Sequence, residues 1–549
     1  MPSTPTTKSQ VQAYKFVLRR MQSALVRRDA VMLHDPMRTH TRATIVGVVL
    51  GGLGMVVFIV WGLLSPAPTV PQAGNIVIGE QSGTVYVVTG NPIRLIPTFN
   101  LASARLYLMA QKQQAAQQAG GSSGAPAPAA AAPAAPDVKN ATVVSDEQLK
   151  NIPRGKLTGI PDGPQLMPTD NQLISPDWAV CDEVKLDPQL PVPDSINKTE
   201  TTVFAGVPNL GARELGENEA LLANADNGKN YLIYRLQASP NQPNANTVRA
   251  EIDPGKSYAV SSALKLPAKG RKISRGLLNA IPEVAQLTSP QITGQGAQPT
   301  GFSLDGLTVG QVFETQPTAG PADSWVIAQD GIQKISPAAA DILRAGRGGS
   351  NSPPTLGLDK LSNVKVLGPT DNGYLAVGDY PRTVPVVLDA TKGSPVSCLG
   401  WSLTGADTSL DSHTSVFVSD KLPGPKYPDG TSKAVKVSTR GPNGLPIDGF
   451  YMPSGFAAVV QSATNKATFG KGAIQLISDR GIRYGVPDVA TANGIGLGNR
   501  KPAPETIIGL LPPGSSLNTQ AVRREFDTVP IDPNAGSFPS STAAAPAGN

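Results

Sequence analysis

Apolar and polar positions follow three successive patterns along the chain. In the first, Val11, Tyr14, Leu18, Met21 and Leu25 recur at three- and four-residue steps and so share one face of a helix. In the second, ATIVGVVLGGLGMVVFIVWGLL from Ala43 to Leu64 is uncharged. At about 1.5 Å per residue it can cross a hydrocarbon core of roughly 30 Å. In the third, short segments alternate apolar and polar residues around turns, as half-buried strands do.

The third pattern repeats. Each copy reads as a strand, a turn, a second strand and a proline opening a helix: TVYVVTGNPIRLIPTFNLASARLYL from Thr84, DSWVIAQDGIQKISPAAADILRA from Asp323 and GAIQLISDRGIRYGVPDVATANGIGL from Gly472. A looser copy starts at Asn230, with its second strand and helix from Val248. Gly90, Gly331 and Gly481 mark the turns. The expected unit is a ββα module, and its uneven spacing fits neither a regular solenoid nor a propeller.

The fold class is therefore α+β and β-rich: an amphipathic helix, one membrane helix, and ββα modules flanking a central β domain. The pattern divides the chain into a basic helical head (1–42), the membrane helix (43–64), a first module (65–110) and a low-complexity linker (111–140). The first part of a central domain (141–228), middle modules (229–350) and the second part (351–465) follow. A last module with a C-terminal wrap (466–535) and a tail (536–549) complete the map.

Composition supports this reading. The 56 glycines and 52 prolines, with 16% charged residues, describe a chain of turns and short strands. Residues 1–42 hold eight basic and two acidic side chains, so the whole net charge of +6 sits in the head. A body without net charge argues against a nucleic-acid partner. Arg27, Arg28, Arg38 and Arg42 flank one side of the apolar run and place the head in the cytoplasm, the rest outside. A cleaved signal peptide would have a shorter basic region and a shorter apolar stretch. The basic helix itself suits a cytoplasmic partner, anionic lipid, or an orientation signal; the narrow stripe from Tyr14 to Leu25 favours helix pairing with a partner.

Cys181 in WAVCD and Cys398 in SCLGW are the only cysteines. On the outer side a Cys181–Cys398 bridge is the simplest arrangement, and two buried thiols are the other. Such a bridge would contribute roughly 5 kcal/mol in the chain-entropy model. Two cysteines cannot build a thiolate zinc site. Trp178 and Trp401 are expected to pack around the sulfurs.

Catalytic signals are sparse. His413 is the one histidine beyond the membrane run, so a serine hydrolase would need it as base. GGSSG at Gly120–Gly124 matches a nucleophile elbow only formally, because it lies in low-complexity sequence. FGKGA around Lys471 lacks the hydroxyl and helix start of a phosphate loop, and GIGLGN near Gly496 follows a helical stretch rather than a strand. Asp323, Asp330 and Asp479 sit at repeat turns, where Asp is usually a turn former. No cofactor, metal or catalytic residue is expected.

The strings QVQAYKFVLRRM, LHDPMRTHTR, IRLIPTFNLASARLYL, IPDGPQLMPTD, WAVCD, SRGLLNAIPE, DGIQKISPAAADILR, CLGW, ISDRGIRYGVPD and LLPPG occur in order from Gln10 almost to the end. Together they resemble the EccB family, membrane components of the type VII (ESX) secretion machinery of mycobacteria and related actinobacteria. The resemblance implies a single-pass structural subunit with a disulfide matching Cys181 and Cys398. It also implies EccC, a motor ATPase, EccD, a many-spanning membrane protein, and EccE as partners, and association between outer domains. Some relatives are described as ATPases, and the missing phosphate loop speaks against that activity here. A membrane-anchored wall-binding protein and a weak ATPase associated with the same secretion system are the alternatives, although for the first an aromatic content of 5% leaves few surfaces for stacking on glycan.

Overall fold

The computed structural model describes residues 7–27, 36–64, 71–120, 141–187, 189–191, 195–236, 247–253, 257–349, 352–406, 409–437 and 447–527. They fall into two units, divided after Val70. The first unit holds two helices, Lys8–Arg27 and Pro36–Leu64. Thr7 opens the first, its N–H donating to Gln10 Oε1 at 3.1 Å. The second contains one segment, His40–Gly62, long and apolar enough to cross a membrane.

In the second unit each module is larger than ββα. The first is a meander of Ile76–Gly79, Val85–Thr89 and Arg94–Thr98, followed by helix Leu101–Gly120 and by Thr142–Val144, which returns parallel to the first strand. The second has strands Glu219–Asn224, Asn230–Arg235 and Thr247–Ile252, helix Tyr258–Ala263 and return strand Arg271–Lys272. In the third they are Val312–Thr315, Asp323–Ile327, Ile332–Ile335, Pro337–Gly346 and Thr355–Leu356. The fourth has Ala457–Ala463, Ile474–Ser478, Arg483–Val486, Val489–Gly494 and Lys501–Pro504.

A further segment closes each module by accepting from its third strand: Leu95 N–H to Pro153 O, Arg249 to Pro282, Ile332 to Lys365 and Arg483 to Pro512, at 2.8–3.0 Å. The sequence pattern captures the middle of the unit and misses its outer strands, which are short and start outside the repeated strings.

Other differences have local causes. Of the four module helices only Pro337–Gly346 opens on proline; Asn100 and Asp488 cap the first and fourth through Ser103 N–H and Thr491 N–H. Residues 111–120 continue the first helix rather than a linker, because alanine and glutamine are good helix formers. Residues 121–140 and the tail 536–549 lie outside the described set. Glu219–Asn224 and Ala457–Ala463 belong to module sheets, ahead of the boundaries expected at 229 and 466.

The central sheet takes its strands from two distant pieces. Its order is Val435–Lys436, Gly449–Tyr451, Ser195–Ala205, Trp178–Leu186, Val396–Thr404, Asp411–Ser419 and Arg213–Glu214. Module order is thus palindromic around it: first module, central piece, second and third modules, central piece, fourth module. Packing follows the same nesting. The helices of the second and third modules share one core with Leu232, Tyr234, Val260, Ala339 and Leu343. The first and fourth share another with Leu106, Met109, Leu476 and Ile495. A Cβ on Gly494 would lie 2.2 Å from Met109 Sδ, so a side chain at that position would have to displace Met109 where the first and fourth helices meet. Beside it, buried Arg105 reaches across and donates to the Ile495 carbonyl at 2.7 Å.

One face of the central sheet, through Val180, Leu399 and Val416, packs on the second and fourth modules at Tyr231, Ile233, Ala458 and Val460. Alternate residues of Asn230–Arg235 therefore enter two cores, Tyr231 and Ile233 one, Leu232 and Tyr234 the other. This two-sided burial explains the unbroken apolar run YLIY.

Arg105→Ala should remove the bond across the first and fourth modules and leave the Ile495 carbonyl unpaired. Thermal unfolding should then show a loss of about 1–3 kcal/mol; unchanged stability would mean the clamp adds nothing to the helix contact.

Candidate functional site: a bridged sheet between paired modules

Trp178–Leu186 and Val396–Thr404 run antiparallel, and their register sets Cys181 directly opposite Cys398. The two form a disulfide with Cα atoms 3.9 Å apart and a sequence separation of 217. Both are buried, in a small cluster with Ala179, Phe204, Leu210 and Val396. The tryptophans are not part of it. Trp178 and Trp401 pair with each other three residues along, and an odd spacing on a strand points to the opposite face. They lie in the module-facing core with Val180 and Leu399, which corrects the expectation that they surround the sulfurs.

Asp182, the residue after the first cysteine, is fully buried. Its carboxylate accepts from Thr201 Oγ1 at 2.9 Å, Ser274 N–H at 2.6 Å and Ser274 Oγ at 2.8 Å. Ser274 in turn caps helix Arg275–Ala280 by accepting from Leu277 N–H at 3.1 Å. One carboxylate therefore ties the bridged strand, its neighbour and a helix that follows the second module. Loss of water pushes the Asp182 carboxyl up to about 6, despite those donors. Buried Arg271 lies near enough to favour the carboxylate, while burial pulls its own guanidinium down to about 10. Arg271 donates to the Ser394 carbonyl, and its Nε and Nη1 have no partner among the described residues. The sequence signal for Asp182 is a charge inside the apolar strand that begins WAVC.

The candidate chemical groups have other placements. Ser415 Oγ donates to Glu214 at 2.8 Å and lies 3.1 Å from His413 Nε2. The buried serine thus stands between acid and imidazole, whereas a hydrolytic triad needs the imidazole in the middle. Lys471 sits in the turn between two antiparallel strands, its N–H donating to Thr468 O at 3.1 Å. Gly496 follows the fourth module's helix, where it leaves room for Arg105. Of GGSSG, only Gly120 is described. Among the described residues there is no group of three or more His, Cys, Asp or Glu able to hold a metal.

In the first unit Val11, Tyr14, Leu18, Met21 and Leu25 are all exposed on Lys8–Arg27. Phe16, Val17 and Val26 are exposed too, so the apolar surface is broader than the stripe. Arg27 ends this helix, Arg38 lies in the first turn of Pro36–Leu64, and Arg42 is exposed further along it. Arg28 lies outside the described residues.

Comparison with known proteins gives one consistent result. The family described as "Type VII secretion system ESX-1, transport TM domain B" (EccB) matches residues 3–531. The ESX-1 secretion system ATPase EccB1 of Mycolicibacterium smegmatis is 28% identical over 535 residues, covering 96% of this chain and 97% of that protein. The ESX-3 secretion system ATPase EccB3 of Mycobacterium tuberculosis is 29% identical over 553 residues, covering 96% and 90%. Among solved structures, a chain of an intact ESX-5 inner membrane complex has a TM-score of 0.64 at 25% identity, covering 98% of this chain and 99% of that one. A chain of an EccB3 dimer from the ESX-3 core complex has a TM-score of 0.60 at 25% identity, covering 82% and 100%.

Two outcomes follow. Replacing both cysteines, Cys181→Ala with Cys398→Ala, should lower stability by up to about 5 kcal/mol, read from denaturant midpoints without reductant. Reductant should then have no further effect. For Asp182, the folded pKa lies above its ordinary value of 3.8, so the folded state holds the proton longer. The contribution of Asp182 to stability should be greatest below pH about 4, fall as pH rises to about 6 and level off above it, a change of roughly 3 kcal/mol in that contribution. Asp182→Asn should flatten that slope in pH-dependent denaturation; an unchanged slope assigns it to other groups.

Proposed function

Because the chain belongs to the EccB family, we propose that it is a structural core subunit of a type VII (ESX) inner membrane complex. It braces the channel on the extracytoplasmic side and docks on cytoplasmic and membrane partners in support of protein export. The near-complete alignment with a subunit of the ESX-5 inner membrane complex carries this reading. The solved EccB3 dimer supports a second copy as one neighbour.

The finer assignments rest on physical chemistry. Arg27, Arg28, Arg38 and Arg42 hold the N-terminus in the cytoplasm, which leaves residues beyond Leu64 on the side where a Cys181–Cys398 bridge persists. The exposed helix face from Val11 to Leu25 docks on a partner, and its basic flanks suit an acidic one. EccC-type, EccD-type and EccE-type subunits are the partners the family resemblance supplies. The extracytoplasmic modules act as a brace that needs no cofactor.

The relatives' names include "ATPase". On this chain the Gly-Lys pair at Lys471 lies in a hairpin turn that opens no helix, so the reading assigns nucleotide hydrolysis to a partner. Highly purified protein that hydrolyses ATP, and stops doing so on Lys471→Ala, would overturn that assignment.

Extraction of the tagged chain in mild detergent should recover a very large particle containing a motor ATPase and a many-spanning subunit, seen by native electrophoresis and mass spectrometry. A lone monomer or dimer across several gentle detergents would contradict the proposal. Tyr14→Asp with Leu18→Asp should release cytoplasmic partners while leaving the extracytoplasmic fold intact.

A further inference from the structure

Each module's return strand is the outermost strand of its sheet, so one of its edges has no ladder partner. Along such an edge alternate residues turn their N–H and C=O outward. In the second module the outward residue is Lys272, because Ile273 N–H turns inward and donates to Asn224 O at 3.3 Å. In the third it is Thr355, next to two prolines, where Pro354 O accepts from Glu314 N–H at 2.9 Å. In the fourth, Pro502 and Pro504 have no N–H to offer. Charge and proline are two means by which a sheet edge is kept from pairing with another chain.

The first module carries neither. Its return strand reads Thr142-Val143-Val144. Val144 turns inward, its carbonyl accepting from Glu80 N–H at 3.0 Å, so Val143 turns its N–H and C=O outward. Neither group finds a hydrogen-bond partner among the described residues. The Val143 side chain is 61% exposed, whereas Val144 is buried in the module core. An open backbone donor and acceptor beside an exposed valine form an edge to which another strand can add.

We propose that this edge pairs with the same edge of a second copy of the chain, antiparallel, about a twofold axis beside Val143. The proposal rests on the reading that a second copy is one neighbour, and it names the surface that copy uses. The edge is its own complement. One residue presents one donor and one acceptor, and a twofold sets Val143 opposite Val143 of the second copy, where the two exchange both bonds. Directly opposed side chains lie on one face, so each exposed valine covers the other. The two first-module sheets then become one.

Both cysteines of the full chain are in the bridge, so Val143→Cys adds one free thiol at an exposed position. Hydrogen-bonded residues on antiparallel strands have Cα atoms about 5.5 Å apart, within disulfide range. Mild oxidation of membranes carrying this variant should give a covalent dimer. Lys272→Cys and Thr355→Cys, on the blunted edges, should give about tenfold less. A photoreactive phenylalanine analogue at position 143, irradiated in the intact complex, should form an adduct of two identical chains. Absence of both products while native electrophoresis still shows several copies per particle would overturn this surface and leave the second-copy reading standing; a lone monomer would remove both. An adduct with a different subunit, or equal cross-linking at all three cysteine positions, would also overturn the proposal.

Discussion

Pairing of Trp178–Leu186 with Val396–Thr404 is the contact on which the rest of the second unit depends. It joins segments separated by the whole of the second and third modules, and closing so long a loop costs conformational entropy that local structure cannot repay. The Cys181–Cys398 bond removes most of that cost by restricting the unfolded chain. It faces away from the modules, so the side of the sheet that carries the second and fourth modules is left to Trp178, Val180, Leu399 and Trp401. The two faces divide the work: one covalently closes the loop, the other packs.

The nesting of modules follows from that closure. Once the two central pieces are paired, the second and third modules lie within one loop, and the first and fourth flank it in sequence. Each pair buries its helices together, and the second and fourth sheets are buried again on their other faces. A small module with one helix and a few short strands buries too little surface alone. Pairing and shared burial supply what the single module lacks. Asp182 adds orientation: its bonds to Thr201 and Ser274 fix the helix Arg275–Ala280 against the bridged strand. Its raised pKa is the mark of a polar group retained in a core at some expense of stability.

Much of this was legible beforehand, and the failures have physical causes. The membrane helix, the repeated hairpins and the disulfide are each governed by local pattern or by compartment, which sequence records. The outer strands of the modules were missed because they are short and pair with segments far along the chain. Proximity in sequence puts the tryptophans with the sulfurs, whereas strand alternation separates residues an odd number apart. Arg105 owes its role to elements that meet only in the folded state. Gly496, in a glycine-rich string, has a φ of +88° just beyond the fourth module's helix, a left-handed position that favours glycine, and a Cβ there would come within 2.9 Å of Arg105 Nη1.

The central claim is that the bridged strand pair holds the two module pairs in one structure. Hydrogen exchange read by mass spectrometry, on the full chain with and without reductant, tests it directly. Reduction should raise exchange first in 178–186 and 396–404 and at the faces of the second and fourth modules packed on them. The helix contacts within each module pair should keep their protection longer. If the central strands stay as protected after reduction while a module pair comes apart first, the pairing of modules holds the sheet together and the account is reversed.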